Sequence, residues 1–493
     1  MRPYEIAFLL TLIPGLLGLS LRAGRSASLI RRWLLAAAFP AAILAALQVA
    51  VEGYRWQMIP AYALACVLVP VAMLELLRAA RLARGWSLVG WGLLGAAVAA
   101  GLAFPMFQFP KPTGPYSVGT EALRLVDWNR RETLGGEPGR PREVMVQVWY
   151  PAQAQPGAQP ARYISDPRLI KAFRDSHLAL VPTHSYLKAP AALAAGPFPV
   201  VIFSPSWQGQ RSQNTFQVEE LASHGFVVIG IDHPYSTAIT LFPDGRIARA
   251  APMEFRDLSS DESLRRSFEV NERLIQIRVQ DIEFVASRLN HLGSPGRPNQ
   301  LDGHLDAERL GVFGYSFGGG AAAEACAMDK RFKAGIDMDG ALFGPVATTG
   351  IEQPFLFLDD GNDPPWADLK SANPVRRRYA RTEERDLLVE RQTLQRRGGY
   401  RVKILGTEHI NFTDTALFSP VRRITGAGKI SARRAMEIIN AYSVAFFEEY
   451  LKGNQSALLQ GRSPRFPEVR FQHLTAPNPV AGNRGEPSGA SAQ

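Results

Sequence analysis

Arg309-Leu310-Gly311-Val312-Phe313-Gly314-Tyr315-Ser316-Phe317-Gly318-Gly319-Gly320, followed by Ala321-Ala322-Ala323, decides the fold. The apolar run up to Phe313 reads as a buried strand. Gly314-x-Ser316-x-Gly318 reads as a sharp turn, and the small residues after it as the start of a helix. Glycine is needed at 314 and 318 because strand and helix pass too close for side chains. The serine between them is forced into a strained backbone and presented at the strand's C-terminal end. The amide of Phe317, at the helix N-terminus, is placed to bind an oxyanion. A bare Gly-x-Ser-x-Gly is common; the strand, turn and helix around it carry the reading.

Outward from this turn the pattern is α/β. Leu123–Val126, Val144–Tyr150, Pro199–Ser204 and Phe226–Asp232 read as strands before the turn. Ala334–Asp339, Pro354–Asp359 and Arg401–Leu405 read as strands after it. Gln213–His224 and Phe268–Leu289 have helical spacing, and Arg376–Arg397 reads as a basic surface helix. Strands alternating with helices predict a mostly parallel sheet covered on both faces, with reactive groups beyond the strand C-termini. The long segment 152–198 has few strand signals; Tyr163, His177 and Tyr186 in it are candidates to line a site. Four regions follow: 1–107 in the membrane, 108–115 a Pro-rich linker, 116–456 catalytic, and 457–493 a tail whose end, Pro477–Gln493, is expected to be disordered.

Residues 1–107 hold nine Arg, three Glu and neither Lys nor Asp, so +6 of the formal +10 lies there. This concentration removes most support for a nucleic-acid partner. Four apolar spans, Glu5–Leu21, Trp33–Val51, Ile59–Leu77 and Trp86–Phe107, each approach the roughly 20 residues that cross a bilayer. Arg22, Arg25, Arg31 and Arg32 lie between the first two, and Arg78, Arg81 and Arg84 between the last two. The positive-inside rule puts both loops in the cytoplasm, so four crossings leave the catalytic region extracytoplasmic in a multi-pass membrane protein. A cleaved signal peptide is the alternative for the first span, but it would leave four arginines outside. Cys66 and Cys326 suggest no disulfide framework.

A serine nucleophile needs a base and an orienting acid, in the chain order Ser, Asp, His for this architecture. Only His409 and His473 follow Ser316, and only His409 follows a sheet strand by a short loop. His224 and His233 precede the serine and read as structural. The acid stays open on spacing alone: Asp339 ends one strand, and Asp359, Asp360 and Asp363 end the next. Asp337 lies two residues before Asp339, within the strand, whereas Asp339 lies at its end, where a loop can aim it at His409. No metal-ligand cluster or nucleotide fingerprint is present, so neither metal nor cofactor is expected.

Gly314-Tyr315-Ser316-Phe317-Gly318-Gly319 to Arg331-Phe332-Lys333-Ala334-Gly335-Ile336-Asp337-Met338-Asp339 resembles the plasma/type II platelet-activating factor acetylhydrolase family. His409-Ile410-Asn411-Phe412 and Leu221-Ala222-Ser223-His224-Gly225-Phe226 resemble it too, and the likeness spans about Thr113–Leu451. It implies an α/β-hydrolase fold, metal-free cleavage of short acyl esters from phospholipids, and Asp339 as the acid. The family's H-G-x-G-like loop is replaced here by Ser204-Pro205-Ser206-Trp207-Gln208-Gly209. Proline has no N–H, so alignment moves the second oxyanion donor to the amide of Trp207. The expectation is therefore a membrane-anchored serine esterase acting on a lipid or small ester, with the bilayer as its other partner and the oligomeric state open. The alternatives are an esterase of the same fold on polyester or xenobiotic esters, or a non-catalytic membrane scaffold or sensor.

Overall fold

The computed structural model describes residues 1–20, 27–76, 85–136, 139–153, 156–164, 166, 168–169, 176–251, 256–293 and 298–475. The loops carrying Arg22, Arg25, Arg78, Arg81 and Arg84, and the tail Pro477–Gln493, lie outside the described residues. The chain divides into two compact units.

One unit comprises Met1–Pro110, Ala158–His184 and Asp414–Ala427. Its helices are Pro3–Ser20, Ala27–Leu47, Ile59–Leu76 and Gly85–Ala103. Pro14, Pro40 and Pro70 sit inside three of them. Among the described residues, three helical stretches are long and apolar enough to cross a membrane: Pro3–Ser20, Arg32–Glu52 and Trp56–Leu74. The expected fourth span falls short. Its apolar run reaches Phe107 in sequence, but the helix stops at Ala103, because Pro105 biases Phe104 away from helix and removes a donor. Among the described residues its apolar stretch is Ser87–Ala103, shorter than the other three. Four spans on sequence thus become three by length and apolarity among the described residues. Tyr163 and His177 belong to this unit. Tyr163 packs its ring against Phe107, Phe109 and Phe418 at 5.3–6.3 Å, so part of the segment 152–198 groups with the N-terminal helices.

The other unit comprises Lys111–Gly157, Ser185–Thr413 and Gly428–Gln493. Its strands are β1 (Ser117–Arg131), β2 (Pro141–Ala152), β3 (Ser185–Leu187), β4 (Phe198–Ser204), β5 (Val227–Asp232), β6 (Ile239–Leu241) and β7 (Ile247–Arg249). After these come β8 (Leu305–Tyr315), β9 (Phe332–Met338), β10 (Phe355–Asp359), β11 (Gly399–Ile404) and β12 (Val469–Leu474). Ten of them make one sheet in the order β12-β11-β10-β9-β8-β4-β5-β2-β1-β3, and β6 and β7 pair separately. From β11 to β5 neighbours run parallel; β2 on β5, β1 on β2 and β12 on β11 are antiparallel. This is a mixed, mostly parallel α/β-hydrolase-like sheet, and its predicted strands fall where the apolar runs put them. The region beyond 456, read on sequence as tail, supplies β12.

Every residue of β4 and β5 is buried, as a central parallel strand requires. Val200, Ile202 and Val312 join one core with the helices Asp261–Ser287 and Phe317–Met328. On the opposite face Phe313 and Phe226 meet Phe447 of the helix Ala432–Lys452, with ring centroids 6.3 Å apart in each pair. The register aligns Ser204, Gly314 and Asp337 across β4, β8 and β9, which brings three strand ends together.

Candidate active site

Ser316 stands between the last residue of β8 and the first of the helix Phe317–Met328, with φ 58° and ψ −123°. Such a backbone costs of order 1–3 kcal/mol and persists only where its surroundings enforce it. Its N–H donates to the Met338 carbonyl (2.8 Å), and its own carbonyl accepts from Gly319 N–H (2.9 Å). The flanking glycines are obligatory. A Cβ on Gly314 would lie 2.0 Å from the Gly318 carbonyl oxygen, and one on Gly318 would lie 2.1 Å from that of Ser204.

His409 follows β11 after four residues and opens the one-turn helix His409–Phe412. That turn is capped reciprocally: Asn411 Oδ1 accepts from Glu408 N–H at 2.9 Å and also from Gly428 N–H at 2.7 Å. The Tyr315 hydroxyl donates to the His409 carbonyl (3.0 Å), and the two rings lie 4.8 Å apart. Sequence reasoning passed over Tyr315; its place beside the serine was the only signal.

These supports bring three side chains into line. His409 Nε2 is 3.0 Å from Ser316 Oγ, and His409 Nδ1 is 2.5 Å from Asp339 Oδ2. Asp339 has φ 54°, just past the end of β9, which turns its carboxylate toward the loop carrying His409. Its Oδ1 accepts from the Asp360 N–H at 2.7 Å. The histidine side chain is 51% exposed and the carboxylate 15%, so the ring is open to a substrate while its anchor is not. Partial desolvation disfavours the imidazolium. The Asp339 hydrogen bond and the charges of Asp339, Asp360 and Glu383 outweigh this, and the pKa is raised above its ordinary value.

The other carboxylates are occupied differently. Asp359 pairs with Arg401 (2.6 Å), which also bonds Glu390 (2.8 Å), and Asp363 pairs with Lys403 (2.6 Å). Asp360 accepts from the backbone and side chain of Asn362, at 2.9 and 3.0 Å. Burial and neighbouring Asp339 push its pKa up to about 7. Asp337 is buried behind the turn, where burial, Asp359 and Asp339 hold its carboxyl well above the usual range. His233 is fully buried between Ser204 Oγ (3.2 Å) and Asp281 (2.9 Å), and His224 bonds Thr113 (3.0 Å). His473, in β12, stacks on Tyr400.

Ser316, Asp339 and His409 border a cavity of about 480 Å³ whose walls include Trp366, Tyr379 and Glu383. Among the described residues lining it, Tyr163, His177 and Tyr186 do not appear. The loop after β4 passes directly over the turn, since Ser204 and Pro205 carbonyls lie against Gly318. In that loop the Trp207 ring meets the Phe317 ring edge to face, 5.2 Å away at 82°, and joins the core's margin.

A strained serine, a histidine within reach of its hydroxyl and a carboxylate on the far ring nitrogen are the parts of acyl transfer. Fold and site together define a carboxylic ester hydrolase. Residues 102–460 match the family model described as platelet-activating factor acetylhydrolase, isoform II, and the chain belongs to that family. It is 27% identical over 404 residues to a probable 1-alkyl-2-acetylglycerophosphocholine esterase of Arthroderma benhamiae, covering 74% of this chain and 94% of that one. It is also 27% identical over 381 residues to platelet-activating factor acetylhydrolase of Cavia porcellus (71% and 79% covered). Among solved structures, ferulic acid esterase from Streptomyces cinnamoneus superposes with a TM-score of 0.57 at 28% identity, covering 74% of this chain and 99% of that one.

Proposed function

We propose that this esterase hydrolyses glycerophospholipids carrying a short or oxidised acyl chain, with Ser316 as nucleophile, His409 as base and Asp339 as the orienting acid. The observation that carries the reading is the continuous chain from Ser316 Oγ through His409 to Asp339 at 3.0 and 2.5 Å, open to a cavity. His409 Nε2 takes the serine proton as Oγ bonds to the ester carbon. The amides of Phe317 and Trp207 receive the oxyanion. The proton passes from His409 to the departing alcohol as its C–O bond breaks, and water reverses these steps on the acyl-enzyme. Asp339 holds the imidazole tautomer throughout.

Acids outnumber bases on the cavity wall, and Trp366 and Tyr379 lie among them. Carboxylates with aromatic faces suit a quaternary ammonium such as choline. The likeness to a ferulic acid esterase favours a second reading, in which the same wall accepts an aryl ester. A substrate panel separates the two: purified protein should turn over acetyl and oxidised-acyl phosphatidylcholines at least tenfold faster, in kcat/KM, than hydroxycinnamate esters or long-chain phosphatidylcholine. The opposite order would overturn the lipid reading in favour of the aryl one.

The three apolar helices suit a membrane anchor, and Ser87–Ala103 is close enough to spanning length to make a fourth, slightly mismatched crossing. We propose four crossings, which leave the catalytic unit extracytoplasmic. An alkaline phosphatase fused after residue 475 should then be active in cells and a green fluorescent protein at the same point dark. The reverse pattern would mean three crossings and a cytoplasmic esterase.

A further inference from the structure

Arg278, in the helix Asp261–Ser287, is fully buried, and its guanidinium donates hydrogen bonds to neutral acceptors. Nη1 donates to the Pro205 carbonyl (2.5 Å) and Nη2 to the Ser206 carbonyl (3.1 Å). Nε and Nη2 also reach Ser236 Oγ, at 3.1 and 2.8 Å. Burying a guanidinium is costly, and one so placed has a task that an apolar residue could not perform. Both carbonyls belong to the loop that replaces the family's glycine-rich one.

The peptide geometry gives the consequence. The Ser206–Trp207 bond is trans, so its C=O and N–H point in opposite directions. The Ser206 carbonyl is held by Arg278 and by Gly209 N–H (2.9 Å), so the Trp207 N–H is turned away from the guanidinium. The preceding peptide is fixed at both ends, by Arg278 on the Pro205 carbonyl and by Gln213 Oε1 accepting from Ser206 N–H at 2.9 Å. The guanidinium carbon also lies 4.9 Å from the centroid of the Phe317 ring, which in turn meets the Trp207 ring. One cation therefore touches the Phe317 ring and the carbonyl of the peptide whose N–H belongs to Trp207.

We infer that Arg278 is a positioning residue for the oxyanion hole: its fork holds the Pro205 and Ser206 carbonyls so that the Trp207 amide is aimed at the developing charge. This rests on the assignment of Trp207 as second donor. Its role is felt in the tetrahedral state rather than in substrate binding.

The test uses full-length Arg278→Gln and Arg278→Lys, with kcat and KM on an aryl acetate, active sites counted by a fluorophosphonate, and Ki for a phenylboronic acid that mimics the tetrahedral state. In Arg278→Gln, kcat per active site should fall about 10–100-fold, KM should move less than about threefold, and the boronate Ki should rise in step with the loss. Arg278→Lys should fall between, because an ammonium cannot span two carbonyls as the fork does. A merely structural role would lower the melting temperature and the active fraction, leaving kcat per active site and Ki unchanged; that result overturns the inference. If Arg278→Gln does not fold, Arg278→Lys, which keeps the buried charge, decides by the same readout. Trp207→Pro removes the amide itself. A Ki unchanged in Trp207→Pro would refute the donor assignment, whereas a raised Ki there with normal Arg278 variants would refute only the role of Arg278.

Discussion

Ser316→Ala is expected to lower ester hydrolysis on the order of 10⁵-fold or more, to the level left by binding and the oxyanion donors alone. The nucleophile's oxygen is the only atom removed. Alanine keeps the Cβ, so the φ of 58° stays as strained as before, and the contacts of Gly314 and Gly318 with their neighbours are untouched. The melting temperature should accordingly stay within a degree or two, and the lost activity cannot be ascribed to unfolding. Labelling by a fluorophosphonate should vanish together with turnover. Residual hydrolysis near the native rate in an alanine preparation free of contaminating esterase would show that another group attacks the ester. Native protein that neither hydrolyses esters nor takes up the fluorophosphonate would instead revive the reading of this domain as a binding scaffold.

The parts legible in the sequence are those fixed by short-range sterics. The turn at Ser316 is readable because two backbones approach to contact, and only glycine at 314 and 318 permits that. His409 is readable because the chain leaves β11 and must deliver a side chain at the sheet's C-terminal edge within a few residues. What stays ambiguous depends on loop direction and on long-range pairing. Asp339, Asp359 and Asp360 all close adjacent strands, and periodicity cannot say which turns toward His409. In three dimensions Asp339, at positive φ, has its carboxylate on His409, while Asp359 is paired with Arg401 on the neighbouring strand. Arg278 is harder still. On an amphipathic helix a charged residue is read as solvated, and nothing local shows that this one lies under a loop some seventy residues earlier in the chain. β12 was hidden for a different reason: a six-residue edge strand with only Val469 buried, and Phe471 and Leu474 partly so, looks like polar tail until its partner is known. The C-terminal end of the fourth helix turns on one residue, Pro105, whose effect on a hydropathy reading is small and on helix propagation large.

Asp339→Asn is the sharper test of the acid, with an expected fall in kcat of roughly 10⁴-fold near pH 7. The amide fills the same space and can still meet the ring. It can donate as well as accept, however, so it stabilises the tautomer whose Nε2 carries the proton and cannot receive another from Ser316. The imidazolium formed during attack also loses its nearest negative charge. Asp360→Asn should behave quite differently. Its carboxylate contacts Asn362, and the bond it gives to Asp339 comes from its backbone N–H, which survives the change. Activity at pH 8 should stay within a few-fold of native. The signs of the pH dependence follow from the charges. His409 must be neutral to act as base, and its pKa is raised, in part by Asp360; hence kcat/KM should climb through a limb lying above the ordinary histidine value of about 6.5. Asp360 itself titrates at about 7, and its loss of a proton makes His409 hold its own more tightly. The native limb is therefore broader than a one-proton curve. Asp360→Asn removes the later charge, so the limb should shift to lower pH and narrow toward a single proton. Native activity in Asp339→Asn combined with collapse in Asp360→Asn or Asp359→Asn would move the acid to β10. A fall in Asp339→Asn with a narrowed, acid-shifted limb in Asp360→Asn would leave Asp339 as the group that orients His409.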